Sequence, residues 1–316
     1  MAESKFSNRR IFLKKIILAG ISIPLLNSFS FINKKIRSKK ITILHTNDMH
    51  SHIDSFPKNH SRHPGMGGMR RVASLVKKIR AEEKNVVLID AGDVFQGTPY
   101  FNKFKGSLEL KIMSSMGYIA STMGNHDFDN GIDGFKEVLH NAKFPFVCSN
   151  YEFADSEMIK KTRKYLVKEI DGIKIGFFGL GIELEGLVDK EYYGDTKYID
   201  PIKTSKYWAN YLKNKEKCDL VICISHLGHK YKSDKISDLK LARLTKNIDI
   251  IIGGHTHTFL EKAKMIKNKE NKNVIVNQAG WGALALGRID LEFSKNKINS
   301  NYFSVNSISK KNYAKI

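Results

Sequence analysis

Between residues 41 and 293, short β-branched runs alternate with stretches whose apolar residues recur at helical spacing. That alternation restricts the chain to an α/β architecture. Ile41-Thr42-Ile43-Leu44 reads as a strand. Val86-Val87-Leu88-Ile89 is apolar without interruption, so it reads as a strand buried on both faces. Leu220–Ile224, Ile248–Ile252, Val274–Val276 and Leu286–Phe293 are further strands. Val72, Leu75, Val76 and Ile79 line one face of a helix. Ser107–Met116, the region of Phe135, Val138 and Leu139, and the region of Trp208 and Leu212 predict three more. Asp171-Gly172 separates Lys164–Ile170 from Ile173–Phe178, a two-residue hairpin signal that predicts a second, partly antiparallel sheet. The polar segment after Phe293 reads either as a last strand or as a frayed end. The 316 residues suffice for one large α/β domain or two small ones. No internal repeat, low-complexity block or linker interrupts 41–300, so one domain is expected over 41–300, with a polar tail at 301–316.

Five strand-like runs end, within a few residues, in side chains that can ligate metal: Asp48 and His50; Asp93; Asn125; His226; His255 and His257. In open α/β sheets the ligand sites lie outside the carboxyl ends of the strands, so neighbouring strands would bring all seven to one rim. The densest stretch is Gly124-Asn125-His126-Asp127-Phe128-Asp129. Taken alone, a helix-capping loop accounts for it. Capping and core packing do not account for five such segments at five strand ends. The donors are carboxylates, imidazoles and one amide, with no thiolate, which favours zinc, manganese, iron or cobalt. Seven donors exceed one tetrahedral ion and suit two ions sharing a carboxylate. Such a pair, about 3.5–4 Å apart, clamps the attacking and leaving oxygens of an in-line displacement at phosphorus. Asp127 reads as a brace for its loop. His45, His52, His60, His63, His140 and His229 read as structural or solvated.

The motifs HTNDMH, DAGDVFQGTP, GNHDFDNG, SHLGH and GGHTH, in this order over roughly 41–295, resemble the calcineurin-like metallophosphoesterases, and within them the bacterial 5′-nucleotidase branch. The resemblance implies a four-layer α-β-β-α sandwich of two mixed sheets flanked by helices. It also implies that Asp48, His50 and His257 hold one divalent ion, that Asn125, His226 and His255 hold a second, and that Asp93 bridges them. His126 corresponds to the family's catalytic histidine and Asp129 to the carboxylate that orients it. The implied reaction is hydrolysis of phosphomonoesters, 5′-nucleotides foremost, by a hydroxide held on the metals. Phosphodiesters or nucleotide-sugars are alternative substrates of the same chemistry. A non-catalytic metal-binding subunit is the reading from another class. Full-length enzymes of this branch add a C-terminal domain that recognises the nucleotide, so the resemblance leaves two expectations open: a separate polypeptide of that type as a partner, or action on other phosphoesters in a more open site.

The 53 basic and 32 acidic side chains give a net charge of +21. The bases are scattered and no basic stripe is interleaved with aromatics, which argues against nucleic-acid binding. Three cysteines, Cys148, Cys218 and Cys223, are expected to be buried free thiols, with Cys218 and Cys223 on opposite faces of a strand. Ser7-Asn8-Arg9-Arg10-Ile11-Phe12-Leu13-Lys14 precedes an apolar stretch over 16–32. This layout predicts a signal segment at 1–35. The paired arginines resemble the twin-arginine export signal, although Asn8 replaces its usual serine. Gly20, Pro24, Asn27 and three serines interrupt the stretch too often for a convincing membrane span. Ser28-Phe29-Ser30 is the nearest small-x-small cleavage site. Export to the periplasm or envelope is expected, with membrane attachment only if the segment stays uncut.

Overall fold

A computed structural model describes residues 38–294 and 296–307. The expected signal segment at 1–35 lies outside them. In chain order the first strands are β1 (Lys39–Thr46), β2 (Val86–Asp90), β3 (Ala120–Ser121), β4 (Phe146–Val147) and β5 (Tyr151–Glu152). They continue with β6 (Thr162–Arg163), β7 (Tyr165–Ile170), β8 (Ile173–Leu180), β9 (Lys197–Tyr198) and β10 (Leu220–Ser225). The last are β11 (Ile250–Gly253), β12 (Lys264–Lys267), β13 (Asn273–Asn277), β14 (Ala285–Ser294) and β15 (Lys297–Ser307). A seven-stranded sheet has the order β15-β14-β1-β2-β3-β4-β6, and a six-stranded sheet the order β12-β13-β11-β10-β8-β7. β5 and β9 form a separate two-stranded ribbon.

Side-chain alternation explains why the two sheets stack. Ile41, Ile43, Val87 and Ile89 of the first sheet face Ile175, Phe177, Ile222, Ile224, Ile250 and Ile252 of the second in one buried cluster. Each such side chain removed from water stabilises the fold by about 1.5–3 kcal/mol. The opposite face of the first sheet, at Leu44 and Leu88, is covered by Val72 and Val76 of helix Met69–Glu82 and Met113 of helix Ser107–Met116. The opposite face of the second, at Val221, Cys223 and Ile251, is covered by Leu212 of helix Pro201–Asn214 and Leu241 of helix Asp238–Leu244. The result is the expected α-β-β-α sandwich of two mixed sheets.

Parallel pairing runs through β1, β2, β3 and β4 in the first sheet, and through β8, β10, β11 and β13 in the second. This direction gives each sheet a rim made of strand carboxyl ends. Antiparallel strands close both edges of the second sheet and the β15 edge of the first, whereas β6 at the other edge runs parallel to β4. The hairpin of β7 and β8 turns at Asp171 (φ 52°) and Gly172 (φ 72°), with Ile170 opposite Ile173, as the dipeptide predicts.

Two sequence-based expectations shift. Cys218 and Cys223 do not point to opposite faces: both pack in the outer cluster of the second sheet. Cys218 precedes β10, so the period of two does not apply to it. All three cysteines are buried and free. At the other end, β15 pairs with β14 through Ser307, so residues 301–307 extend the sheet, while 308–316 lie outside the described residues. No helix among the described residues is long and apolar enough to cross a membrane.

Candidate metal centre

The seven side chains singled out above meet at one rim. Asp48 and His50 follow β1, Asp93 follows β2, and Asn125 follows β3; His226 follows β10, and His255 and His257 follow β11. Five of them hold left-handed backbone conformations: Asp48 (φ 49°), His50 (φ 46°), Asp93 (φ 54°), His255 (φ 72°) and His257 (φ 49°). Each such residue costs on the order of 1–3 kcal/mol, and clusters of them mark functional sites. Close backbone approach adds to this. Gly92 (φ 88°) lies where a Cβ would meet the Gly124 nitrogen at 2.6 Å and His226 Nδ1 at 2.9 Å. Only glycine fits there.

Two donor groups result. Atoms of Asp48, His50 and His257 lie within 4.8 Å of one another, and so do atoms of Asp93, His226 and His255. Asn125 joins the second group, its Oδ1 lying 2.9 Å from His255 Nδ1. The groups touch. Asp93 Oδ2 is 3.0 Å from His226 Nε2 and 4.0 Å from His50 Nε2, while Asp48 Oδ1 is 3.4 Å from His257 Nε2 and 3.9 Å from His226 Nε2.

The hydrogen bonding fits cation binding. His226 Nδ1–H donates to the Ala91 carbonyl and His50 Nδ1–H to that of Phe95. Each imidazole is thereby locked in the tautomer that turns an Nε2 lone pair inward, the arrangement usual for metal-ligating histidines. The fully buried His226 Nε2 faces the Asp93 carboxylate, and His50 Nε2 and His257 Nε2 face each other at 3.1 Å. Buried carboxylates and facing lone pairs at these distances need a positive charge between them. Without an ion that charge is a proton. Burial lowers the pKa of His226, but the Asp93 carboxylate overrides it and raises it to about 10. Burial raises the pKa of Asp93, and the His226, His50 and His126 imidazoles pull it well below the usual range. Burial, reinforced by His226, lowers His255 to about 4, so its ring is neutral and able to ligate at physiological pH.

His126 stands beside the donors on a 3-10 turn, His126–Phe128. Its backbone N–H donates to Asp93 Oδ1 and its Nδ1 lies 2.8 Å from Asp129 Oδ2. The Asp129 hydrogen bond raises the His126 pKa. Its side chain keeps 39% of its surface, against none for His226, so it faces the cleft. Asp127 accepts N–H groups from Asp93, Val94, Phe95 and Gly124 and so ties the loop after β2 to the loop after β3. That is the bracing role its position predicts. Asn47 was missed by sequence reasoning: its side chain bonds the Gly280 carbonyl and the Ala279 N–H. It thereby holds Trp281, whose indole stacks on the His257 ring at 5.4 Å and 9°. The Gly280-Trp281-Gly282 step was the available signal, glycines on both sides of an aromatic marking unusual backbone.

Comparison with known proteins agrees with this fold. A family model described as calcineurin-like phosphoesterase matches residues 41–259. The chain is 31% identical to the trifunctional nucleotide phosphoesterase protein YfkN of Bacillus subtilis (strain 168), over 81% of this chain and 18% of that protein. It is 30% identical to the 5′-nucleotidase of Homo sapiens, over 81% of this chain and 47% of that one. The chain therefore spans less than half the length of these curated relatives. Among solved structures, the 5′-nucleotidase precursor of Thermus thermophilus superposes with a TM-score of 0.78 at 27% identity, over 86% of this chain and 55% of that one. By motif order, fold and the matched family model, this chain belongs to the calcineurin-like phosphoesterases.

Proposed function

We propose that the chain hydrolyses phosphomonoesters, with 5′-nucleotides as the substrate class, at a centre that holds two divalent ions. One observation carries this reading: Asp93 Oδ2 stands between the two donor groups, within 3.0 Å of His226 and 4.0 Å of His50. Asp48, His50 and His257 are assigned to one ion, Asn125, His226 and His255 to the other, and Asp93 to both. Relatives described as nucleotide phosphoesterase and 5′-nucleotidase support nucleotides as the class. Divalent ions bound there would polarise a phosphoryl oxygen and lower the pKa of a bound water.

The remaining steps fall to the chain. The Asp129 carboxylate fixes Nδ1–H of His126, which directs Nε2 into the cleft. In its protonated form that atom donates a hydrogen bond to a phosphoryl oxygen and passes a proton to the departing alkoxide. The Asn125 side chain is placed to orient the same phosphoryl group through its amide N–H. Residues 1–35 are assigned to export into the periplasm or envelope, on the strength of Arg9-Arg10 and the apolar stretch behind them.

The test uses the purified full-length chain supplied with Mn²⁺ or Zn²⁺. Phosphate release from 5′-AMP and from an aryl phosphate monoester is compared with phenol release from an aryl phosphate diester. Release from the monoesters is expected to exceed cleavage of the diester; no release from any of the three refutes the hydrolase. Replacing Arg9 and Arg10 by Lys tests export, and undiminished appearance outside the cytoplasm refutes the twin-arginine assignment.

A further inference from the structure

Next to the donor groups lies a cavity of about 490 Å³, within the size range of small-molecule sites. His50, His126 and His257 form its inner end. Its outer part is bounded by His52, Phe56, His60, Gln96 and Trp281. Among the described residues, no lysine, arginine, aspartate or glutamate lines it. The aromatic rings interlock. His52 stacks on Phe56 at 4.4 Å, Phe56 meets Trp281 edge-on at 5.5 Å, and Phe56 meets His60 at 4.8 Å.

This wall is anchored to the centre itself. The Gly282 N–H donates to the Asp48 carbonyl, and Gly280, Trp281's other neighbour, is held by the Asn47 side chain and by the Thr258 carbonyl. Phe56 closes over Gly282, where a Cβ would come within 2.8 Å of its ring. Trp281 lies 5.4 Å from His257 and 6.5 Å from His50, ring centre to ring centre. A group esterified to a phosphate held beside His126 would therefore reach it.

We propose that this aromatic wall is the leaving-group subsite, and that it selects an uncharged, planar, aromatic group such as the nucleoside of a 5′-monophosphate. The wall supplies ring faces and edges for stacking and a few polar side chains, His52, His60 and Gln96, for hydrogen bonds. It supplies no fixed cation for a leaving group that carries its own phosphate. The inference rests on the phosphomonoesterase reading for its substrate, and its tests are chosen to separate the two.

Trp281 shares the chain with one other tryptophan, Trp208, so a Trp208→Phe variant of the full-length chain reports on Trp281 alone. Adenosine, with no phosphate and no turnover, is expected to quench that emission saturably, while ribose leaves it unchanged. In a Trp281→Leu variant, checked by circular dichroism and metal content, the ratio of kcat/KM for 5′-AMP over ribose 5-phosphate is expected to fall about tenfold, the size of a lost base–aromatic stack. If Trp208→Phe does not fold, the difference in adenosine quenching between the unaltered chain and Trp281→Phe gives the same reading. Absence of quenching by adenosine, or an unchanged substrate ratio in Trp281→Leu, overturns the subsite. A chain that binds adenosine but hydrolyses no phosphate ester overturns the phosphatase reading and leaves the subsite standing.

Discussion

His226 Nε2 points at Asp93 Oδ2 across 3.0 Å while its Nδ1 is committed to the Ala91 carbonyl. An imidazole so fixed gives its partner either a proton or a shared cation. Cation binding and protonation therefore compete at the same atoms.

The first prediction concerns Asp93. Asp93→Asn removes the oxygen charge that both donor groups face. Metal affinity should fall by more than the roughly 10–100-fold typical of losing a residue one step behind a ligand. Activity should go with it. Elemental analysis after dialysis is the measurement, and a normal metal content would remove Asp93 from its bridging position.

His126 is predicted to separate metal binding from turnover. His126→Ala should keep its ions and lose about 10²–10⁴-fold in kcat, the usual worth of a positioned proton donor. Asp129→Asn should lose less, since the ring stays in place. Metal loss in His126→Ala as large as in Asp93→Asn would show that His126 belongs to the ligand set instead.

Asp127 is predicted to be a stability residue. Asp127→Ala leaves four buried backbone N–H groups without their acceptor. At about 1–3 kcal/mol for each unsatisfied donor, a loss of at least about 3 kcal/mol is expected in urea unfolding of the metal-free chain. A midpoint unchanged from the unaltered protein would contradict the bracing role.

His45 should make the fold acid-sensitive. It is fully buried, with Nε2 3.0 Å from Asn277 Nδ2, and burial pushes its pKa from 6.5 down to about 3. Between those values the unfolded chain binds a proton that the folded chain refuses, so stability is complete above about pH 6.5 and declines as pH falls. At pH 5 the loss is about 2 kcal/mol. Urea midpoints of the metal-free chain, measured from pH 7 to pH 5, should drop more steeply for the unaltered protein than for His45→Gln. Parallel slopes would show that His45 does not carry the effect.

Much of the scaffold was readable because burial writes itself into sequence. Val86–Ile89 and Leu220–Ile224 are buried almost throughout, and Asp171-Gly172 adopts the positive φ angles that its composition favours. The short strands at Phe146–Val147 and Thr162–Arg163 were not, because two residues show no periodicity. The polar edge strand Lys297–Ser307 could be offered only as one of two readings, since it lacks the apolar alternation that marks a buried face. At the site, the donors were legible as residue types at strand ends. Their left-handed backbone was not, since aspartate and histidine adopt it only under tertiary constraint. Nor was the aromatic wall: His52, Phe56 and His60 come from one loop and Trp281 from another more than two hundred residues away, with no shared pattern to join them.

The donors divide between the two sheets. Asp48, His50, Asp93 and Asn125 extend from the first, and His226, His255 and His257 from the second. Any cation gripped by both sets works as a rivet through the seam of the sandwich. Stripping it would cost rigidity as well as chemistry, because ligand affinity for the joined state and cohesion of the two layers are one linked equilibrium.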